Sequence, residues 1–205
     1  MNRQFSLLVP VKTLARAKTR LEAPDGGARE RLMRAFALDA IAAATQCSAV
    51  ARVYVVTDEP GFDGRATTRL EDRGEGDLNL ALTQAAREVR LLDPTTAVAA
   101  MCADLPCLHA EDLADALAAG MTPRWFVSDA AGTGTTLLAA GPGIDLAPHF
   151  GVESATRHES SGATPVRAEV PTLRQDVDTE ADLSAARALG VGSHTLQALA
   201  EAPTS

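Results

Sequence analysis

Apolar positions along the chain alternate between short, nearly unbroken runs and longer stretches spaced three and four apart. Phe5–Val11 is a run of the first kind and reads as a buried strand ended by Pro10 and a polar loop. Over residues 29–46, Leu32, Met33, Phe36, Ala37, Ala40, Ile41 and Ala44 fall on one face of a helix. Val53–Thr57 is a second strand. Asp77 is placed to cap a helix whose inner stripe is Leu78, Leu82, Ala85, Ala86 and Val89. Thr96–Ala103 reads as a third buried strand, followed by a helix over Glu111–Ala119. Trp125–Ser128 and Thr135–Ala139 read as two strands around a Gly-rich turn, and Val166–Val170 as a late short strand. Thr179, with Asp182 three residues on, makes a capping box for a helix over Glu180–Leu189.

Strand and helix thus alternate, which argues an α/β fold with a mainly parallel sheet and helices on both faces. In such sheets ligands sit beyond the carboxyl ends of the strands, so polar residues just after strand ends are the ones to weigh. No internal repeat is visible. The 205 residues suit a single domain with only the last few residues, Ala202–Ser205, expected to be disordered.

Charge changes the picture in one place. The chain holds 19 basic and 27 acidic side chains, a formal net charge of −8. That balance disfavours nucleic acid as a partner, since polyphosphate strands need a broad cationic face. Yet residues 1–20 carry five cations (Arg3, Lys12, Arg16, Lys18, Arg20) and no acid. Of the 19 basic residues 17 are Arg, and the two lysines, Lys12 and Lys18, both fall in that opening stretch. The longest apolar runs are far short of the roughly 18 residues of a membrane helix, so no membrane is expected. Three cysteines are too few and too odd a number for a disulfide framework, which fits the cytoplasm.

Several familiar chemistries are missing by motif. There is no G-x-x-x-x-G-K-[ST] phosphate loop, no complete G-x-G-x-x-G, and no G-x-S-x-G elbow. Cys102, Cys107 and His109 could be assembled into a metal site, but they lack the short cysteine spacings usual for zinc. Five stretches remain. Residues 10–21 follow the first strand, and Lys is a compact charge able to reach between phosphate oxygens. Asp104 ends the third strand before Pro106; it can anchor Mg²⁺ or cap the next helix. Asp176 and Asp178, two apart, share a face in an extended segment, although helix N-terminal charge also explains Asp178. The Gly132–Leu137 stretch offers glycines and the hydroxyls of Thr135 and Thr136, or a plain hairpin loop. Gly151 before a short helix with Ser154 on its first turn makes an anion pocket. His149 and His158 read as surface or packing residues rather than catalysts.

Taken in order, these pieces resemble the CofC/FbiD family, the guanylyltransferases of deazaflavin coenzyme F420 biosynthesis. They are P-V-K-x-L-x-x-A-K-x-R-L at 10–21, L-N-x-A-L at 78–82, A-D-L-P at 103–106, G-T-x-x-L at 134–138, F-G-x-x-S-x-x-x-H at 150–158 and D-x-D-T-x-x-D-L at 176–183. Two departures are peripheral: Glu180 stands where proline is frequent, and Asp77 where glycine is usual. The resemblance implies a nucleotidyltransferase fold of the nucleotide-diphospho-sugar transferase kind. It implies GTP and a small three-carbon phosphate acid as substrates, with pyrophosphate released. It places acceptor contacts at Thr136 (Thr135 the rival), Gly151 and Ser154, nucleotide contacts at Lys12, Lys18, Arg20 and Asn79, and Mg²⁺ at Asp104 with Asp176 or Asp178. Phosphoenolpyruvate is the expected acceptor, because the Arg-over-Lys bias resembles the bacterial branch; 2-phospho-L-lactate is the alternative.

The chemistry agrees with that expectation. A phosphate monoester, its second pKa about 6, is already ionised and nucleophilic near neutral pH, so no general base has to be found. Catalysis is then positioning plus neutralisation of charge, with Lys12, Lys18 and Asp104 as the catalytic set. Two other readings stand beside it: an enzyme of the same fold using CTP or a sugar phosphate, and a non-catalytic nucleotide sensor. Both a monomer and a homodimer are compatible with the sequence.

Overall fold

The computed structural model describes residues 4–11, 26–120 and 122–201; the terminal Ala202–Ser205 lie outside the described residues. Its centre is a seven-stranded sheet in the order β3-β2-β1-β4-β6-β5-β7. β1 (Phe5–Pro10), β2 (Val50–Val56), β3 (Thr67–Leu70) and β4 (Ala97–Met101) are mutually parallel. β6 (Thr135–Ala140) lies antiparallel to both β4 and β5 (Arg124–Ser128), and β5 pairs in parallel with the two-residue β7 (Thr164–Pro165). Six strands therefore point one way and β6 alone runs back. The expected strand at Val166–Val170 is corrected. The β5–β7 ladder ends where the Val166 N–H donates to the Phe126 carbonyl at 2.8 Å, and the residues after it lead irregularly into a helical turn, α5 (Pro171–Arg174).

Both faces of the sheet are covered, which explains why the inner strands read as unbroken apolar runs. On one face Phe5, Leu7 and Val9 pack with Met101, Trp125 and Leu137 against α1 (Gly26–Gln46) and α3 (Ala110–Ala118). On the other, Leu8, Val98, Phe126 and Leu138 meet Leu82, Ala85 and Val89 of α2 (Leu78–Leu92) and Ala155 of α4 (Ser154–Ser160). A third, smaller cluster (Phe36, Cys107, Val177, Leu183, Ala186) seats α6 (Glu180–Leu189) beyond the sheet. α5 (Pro171–Arg174) and α7 (Ser193–Ala200) complete the helices described.

Local signals set the helix starts. The Asp77 carboxylate accepts from the N–H groups of Asn79 (2.8 Å) and Leu80 (3.2 Å), so Asp in place of the usual glycine is a working N-cap. At α6 the reciprocal box forms: the Thr179 N–H donates to the Asp182 carboxylate at 2.8 Å, and the Asp182 N–H to the Thr179 hydroxyl at 3.3 Å. Glu180 then stands at N1, a position that an acidic residue fills as readily as proline does.

Candidate functional site

The strand order locates the cleft. From β1 the chain crosses to β2 on one side and later to β4 on the other, so a crevice opens beyond Pro10 and Met101, where neighbouring strands lead apart. Val11 stands at this edge, its N–H donating to the Val56 carbonyl at 3.0 Å. Lys12, Lys18 and Arg20 themselves lie outside the described residues. Asp104 leaves the same edge from β4.

The acidic loop joins Asp104 there. The Val177 N–H donates to the Asp104 carbonyl at 3.0 Å, and the Val177 side chain is fully buried with Phe36, Cys107 and Leu183. That anchor sets Asp176, half-buried, and Asp178, exposed, on either side of it in an extended stretch. Asp178 also lies against the α6 box, its N–H donating to Asp182 at 3.1 Å. Cys107 donates weakly to the carbonyls of Thr172 and Gln175, and burial pushes its thiol up to about 11, so at neutral pH it is a thiol and a poor metal ligand. Among the described residues no group of three His, Cys, Asp or Glu stands where it could hold a metal ion.

Because β6 runs antiparallel, it delivers its beginning, not its end, to this edge. The Cys102 N–H donates to the Thr136 carbonyl at 2.9 Å. Opposite β5 the register slips, Ser128 facing Thr135 and Val127 facing Leu137, which makes Thr136 the extra residue of a bulge. The slip breaks the two-residue alternation. Leu137 packs on the α1 face, yet the Thr135 hydroxyl meets the ring of His158, on the α4 side, at 2.9 Å. The Thr136 hydroxyl has only a long contact, 3.5 Å, to the Val127 carbonyl.

The Gly-rich turn before β6 is not an open cradle. The Asp129 carboxylate fills it, accepting from the N–H groups of Thr133 (2.9 Å) and Gly134 (2.8 Å). A Cβ on Gly134 would stand 2.3 Å from that carboxylate, which is why glycine is needed there. Arg174, unremarked in the sequence, ties this hairpin to α5: its guanidinium donates to the Ser128 carbonyl and hydroxyl and to the carbonyls of Val166 and Ala168.

Gly151 and Ser154 come to the same place, since the Ala155 N–H donates to the Thr133 carbonyl at 3.0 Å. The expected helix-terminus pocket is altered, however. The first two N–H groups of α4 are taken, Ser154 by the Gly151 carbonyl and Ala155 by Thr133. What remains is the turn itself, with positive φ at Gly151 (116°) and Glu153 (54°), and the Ser154 hydroxyl. Asn79, expected at the nucleotide, clamps this turn. Its amide accepts from the Phe150 N–H at 2.7 Å and donates to the Phe150 carbonyl at 3.1 Å.

His158 does more than its expected role as a packing residue. It is fully buried, accepts from the His149 N–H at 2.8 Å through Nε2, and meets Thr135 through Nδ1. Burial, then the neighbouring His149, Arg124 and Arg157, push its imidazole down to about 4. A signal was present: His158 falls one helical turn after Ser154, hence on the same face of α4.

Comparison with known proteins gives this edge a context. Residues 5–199 match the family described as guanylyl transferase CofC like. A relative in Streptomyces coelicolor named phosphoenolpyruvate guanylyltransferase is 50% identical over 94% of each chain. Another of that name in Thermomonospora curvata is 44% identical, covering 97% of this chain and 90% of its own. Among solved structures, a nucleotide-diphospho-sugar transferase described as putative, from Desulfovibrio desulfuricans, superposes with a TM-score of 0.68 at 19% identity, over 97% of this chain and 95% of its own. A 4-diphosphocytidyl-2C-methyl-D-erythritol synthase from Anaerococcus prevotii gives 0.56 at 13% identity, over 91% and 96%. At those identities the two structures speak for the fold alone, a nucleotidyltransferase sandwich.

Proposed function

The chain belongs to the CofC-like guanylyl transferase family, and from that footing we propose that it transfers GMP from GTP to the phosphate of phosphoenolpyruvate, releasing pyrophosphate, as a single-domain enzyme of coenzyme F420 biosynthesis in the cytoplasm. The observation that carries the site is the Val177–Asp104 bond, which joins the acidic loop to β4 where β1 and β4 lead apart. The three free thiols fit a reducing compartment. Among the described residues, no helix is long and apolar enough to cross a membrane.

In the reaction an oxygen of the acceptor phosphate attacks the α-phosphorus of GTP in line. One P–O bond forms, the bond from the α-phosphorus to the bridging β-oxygen breaks, and pyrophosphate leaves with that electron pair. The nucleophile is already ionised, so no protein base takes a proton. Lys12 and Lys18 would brace the triphosphate, with Arg20 beside them. The acceptor would lie against the 151–153 turn, the Ser154 hydroxyl and the start of β6. There Thr135 is the better hydroxyl donor, because the Thr136 side chain turns toward Val127.

Asp104 with Asp176 or Asp178 supplies hard oxygen donors on two joined segments, without a third acidic, His or Cys partner among the described residues. That donor set fits Mg²⁺, which keeps several waters and shares phosphate oxygens rather than needing an all-protein cage. Bound there, Mg²⁺ would neutralise charge on the α-phosphate and the departing pyrophosphate.

Pyrophosphate release measured over GTP or CTP, and over phosphoenolpyruvate or 2-phospho-L-lactate, with Mg²⁺ or excess chelator, tests the proposal. Mass spectrometry of the adduct completes it. Release is expected with GTP, phosphoenolpyruvate and Mg²⁺ together. A preference for 2-phospho-L-lactate would reassign the acceptor, and silence with every pair would favour a nucleotide sensor.

A further inference from the structure

The ring of His158 meets Thr135, His149 and Phe150 at the acceptor end of the cleft, and its two nitrogens are not equivalent. A backbone N–H can only donate, so the His149 N–H at 2.8 Å fixes Nε2 as a bare lone pair. The side chain is wholly buried, with Arg124, Arg157 and His149 as its charged or basic neighbours, all of them hostile to an imidazolium. The ring is therefore neutral, and its one proton must sit on Nδ1. Nδ1–H then donates to the Thr135 hydroxyl oxygen at 2.9 Å.

That has a consequence for Thr135. Its oxygen accepts from the ring, so its own hydrogen must point elsewhere, and no second partner for it stands among the described residues. The opposite tautomer would lose the His149 bond and turn the threonine hydrogen inward, toward Nδ1. A ring locked this way is also held in place: Phe150 meets it edge-on at 5.2 Å and 77°, and Phe126 lies tilted at 5.8 Å. The Phe150 backbone is in turn clamped by Asn79.

We propose that His158 is the positioning residue of the acceptor subsite, making Thr135 an obligate hydrogen-bond donor to the anionic acceptor while fixing the 149–153 turn beside it. The inference rests on the proposed transfer to a phosphorylated carboxylic acid. A side chain serving only to fill space would need neither nitrogen. Here one nitrogen receives and the other gives, and each partner belongs to a different wall of the same subsite. The bulge at Thr136 is what turns Thr135 toward the ring, so the strand irregularity and the buried histidine form one device.

Three variants test this: Thr135→Val, His158→Phe and the double change, with Thr135→Ser as the conservative control. Steady-state pyrophosphate release gives KM for acceptor and for GTP separately. Thr135→Val removes the hydrogen bond to the ionised acceptor and His158→Phe removes the contact that aims it, so acceptor KM should rise roughly ten- to a hundredfold in each. GTP KM should stay within about twofold, and Thr135→Ser should keep most of the acceptor affinity. Because the two residues act as one unit, the double variant should be no worse than the weaker single one. A long-range ¹H–¹⁵N spectrum of the wild-type protein should show His158 protonated at Nδ1 and bare at Nε2, and decides the tautomer even where His158→Phe does not fold.

Independent, multiplying effects would overturn the proposal, as would equal rises in both KM values or a proton found on Nε2. A wild type that makes adduct while Thr135→Val keeps its acceptor KM refutes the donor role. A wild type without turnover on any pair refutes instead the functional reading beneath it.

Discussion

Gly134→Ala is a small change with a calculable effect at the start of β6. The backbone there is not in the left-handed region, so alanine is conformationally acceptable, and the whole penalty comes from contact. The new Cβ would stand 2.3 Å from the Asp129 carboxylate oxygen, against 3.4 Å for an ordinary contact, so the carboxylate must retreat by about 1 Å. Its bonds to the N–H groups of Thr133 (2.9 Å) and Gly134 (2.8 Å) then stretch beyond useful length. Each is charge-assisted, worth about 1.5–3 kcal/mol when well made. Thr133 is exposed and Asp129 half-buried, so water replaces part of the loss, and about 2–3 kcal/mol in total is reasonable. For a chain of this length that corresponds to a fall in Tm of roughly 4–12 °C.

Urea denaturation of Gly134→Ala, Asp129→Ala and the double variant provides the assay. In the Asp129→Ala background there is no carboxylate to displace, so adding Gly134→Ala should cost under about 0.5 kcal/mol, a strongly non-additive cycle. Acceptor KM should rise in both single variants, since Thr135 follows directly. A Gly134→Ala protein as stable as the wild type, or two penalties that simply add, would refute the reasoning that the carboxylate is what fills the turn.

Four further expectations follow from other contacts. Lys18→Ala and Asp104→Asn should each lower turnover at least roughly tenfold, with unfolding midpoints unchanged; near-normal pyrophosphate release from either removes the role given it. The His158 imidazole is held well below its ordinary value of 6.5, at about 4, so between those values the unfolded chain binds more protons than the folded one. Its contribution is thus complete above about pH 6.5 and is lost as pH falls toward 4, about 2 kcal/mol by pH 5; the stability difference between wild type and His158→Phe should shrink accordingly between pH 7.5 and 5, and a constant difference contradicts it. Asn79→Ala should raise acceptor KM far more than GTP KM, because its amide holds Phe150; the reverse ratio would return it to the nucleotide. Asp39→Ala should cost about 2–4 kcal/mol in urea while the folded enzyme keeps its kcat, since the buried carboxylate caps α7 from α1 through His194 and Thr195; an unchanged midpoint would show that the cap carries little.

What the sequence determined by itself is whatever depends on neighbours within a turn or two. The Asp77 cap, the Thr179–Asp182 box, the inner stripe of α2 and the buried run of β1 were all legible, because periodicity and capping are set by residues three or four apart. The ordered motifs were enough to bring the family into view and to single out Asp104, Asp176, Asp178, Gly151 and Ser154. Tertiary structure decided the rest. β3 is a four-residue edge strand with little apolar signal, and only its pairing with β2 defines it. The direction of β6 and the bulge at Thr136 depend on which strands flank it, so period-two reasoning could not say which face Thr135 would take. The Asp129 carboxylate reaches forward over five positions to fill the turn at Gly134, a choice that its spacing alone leaves open. Asn79 and Phe150 are 71 positions apart, and Thr135 and His158 are 23 apart; hydrogen bonds at such separations leave no periodic trace, because they form only once the sheet has brought its strands together.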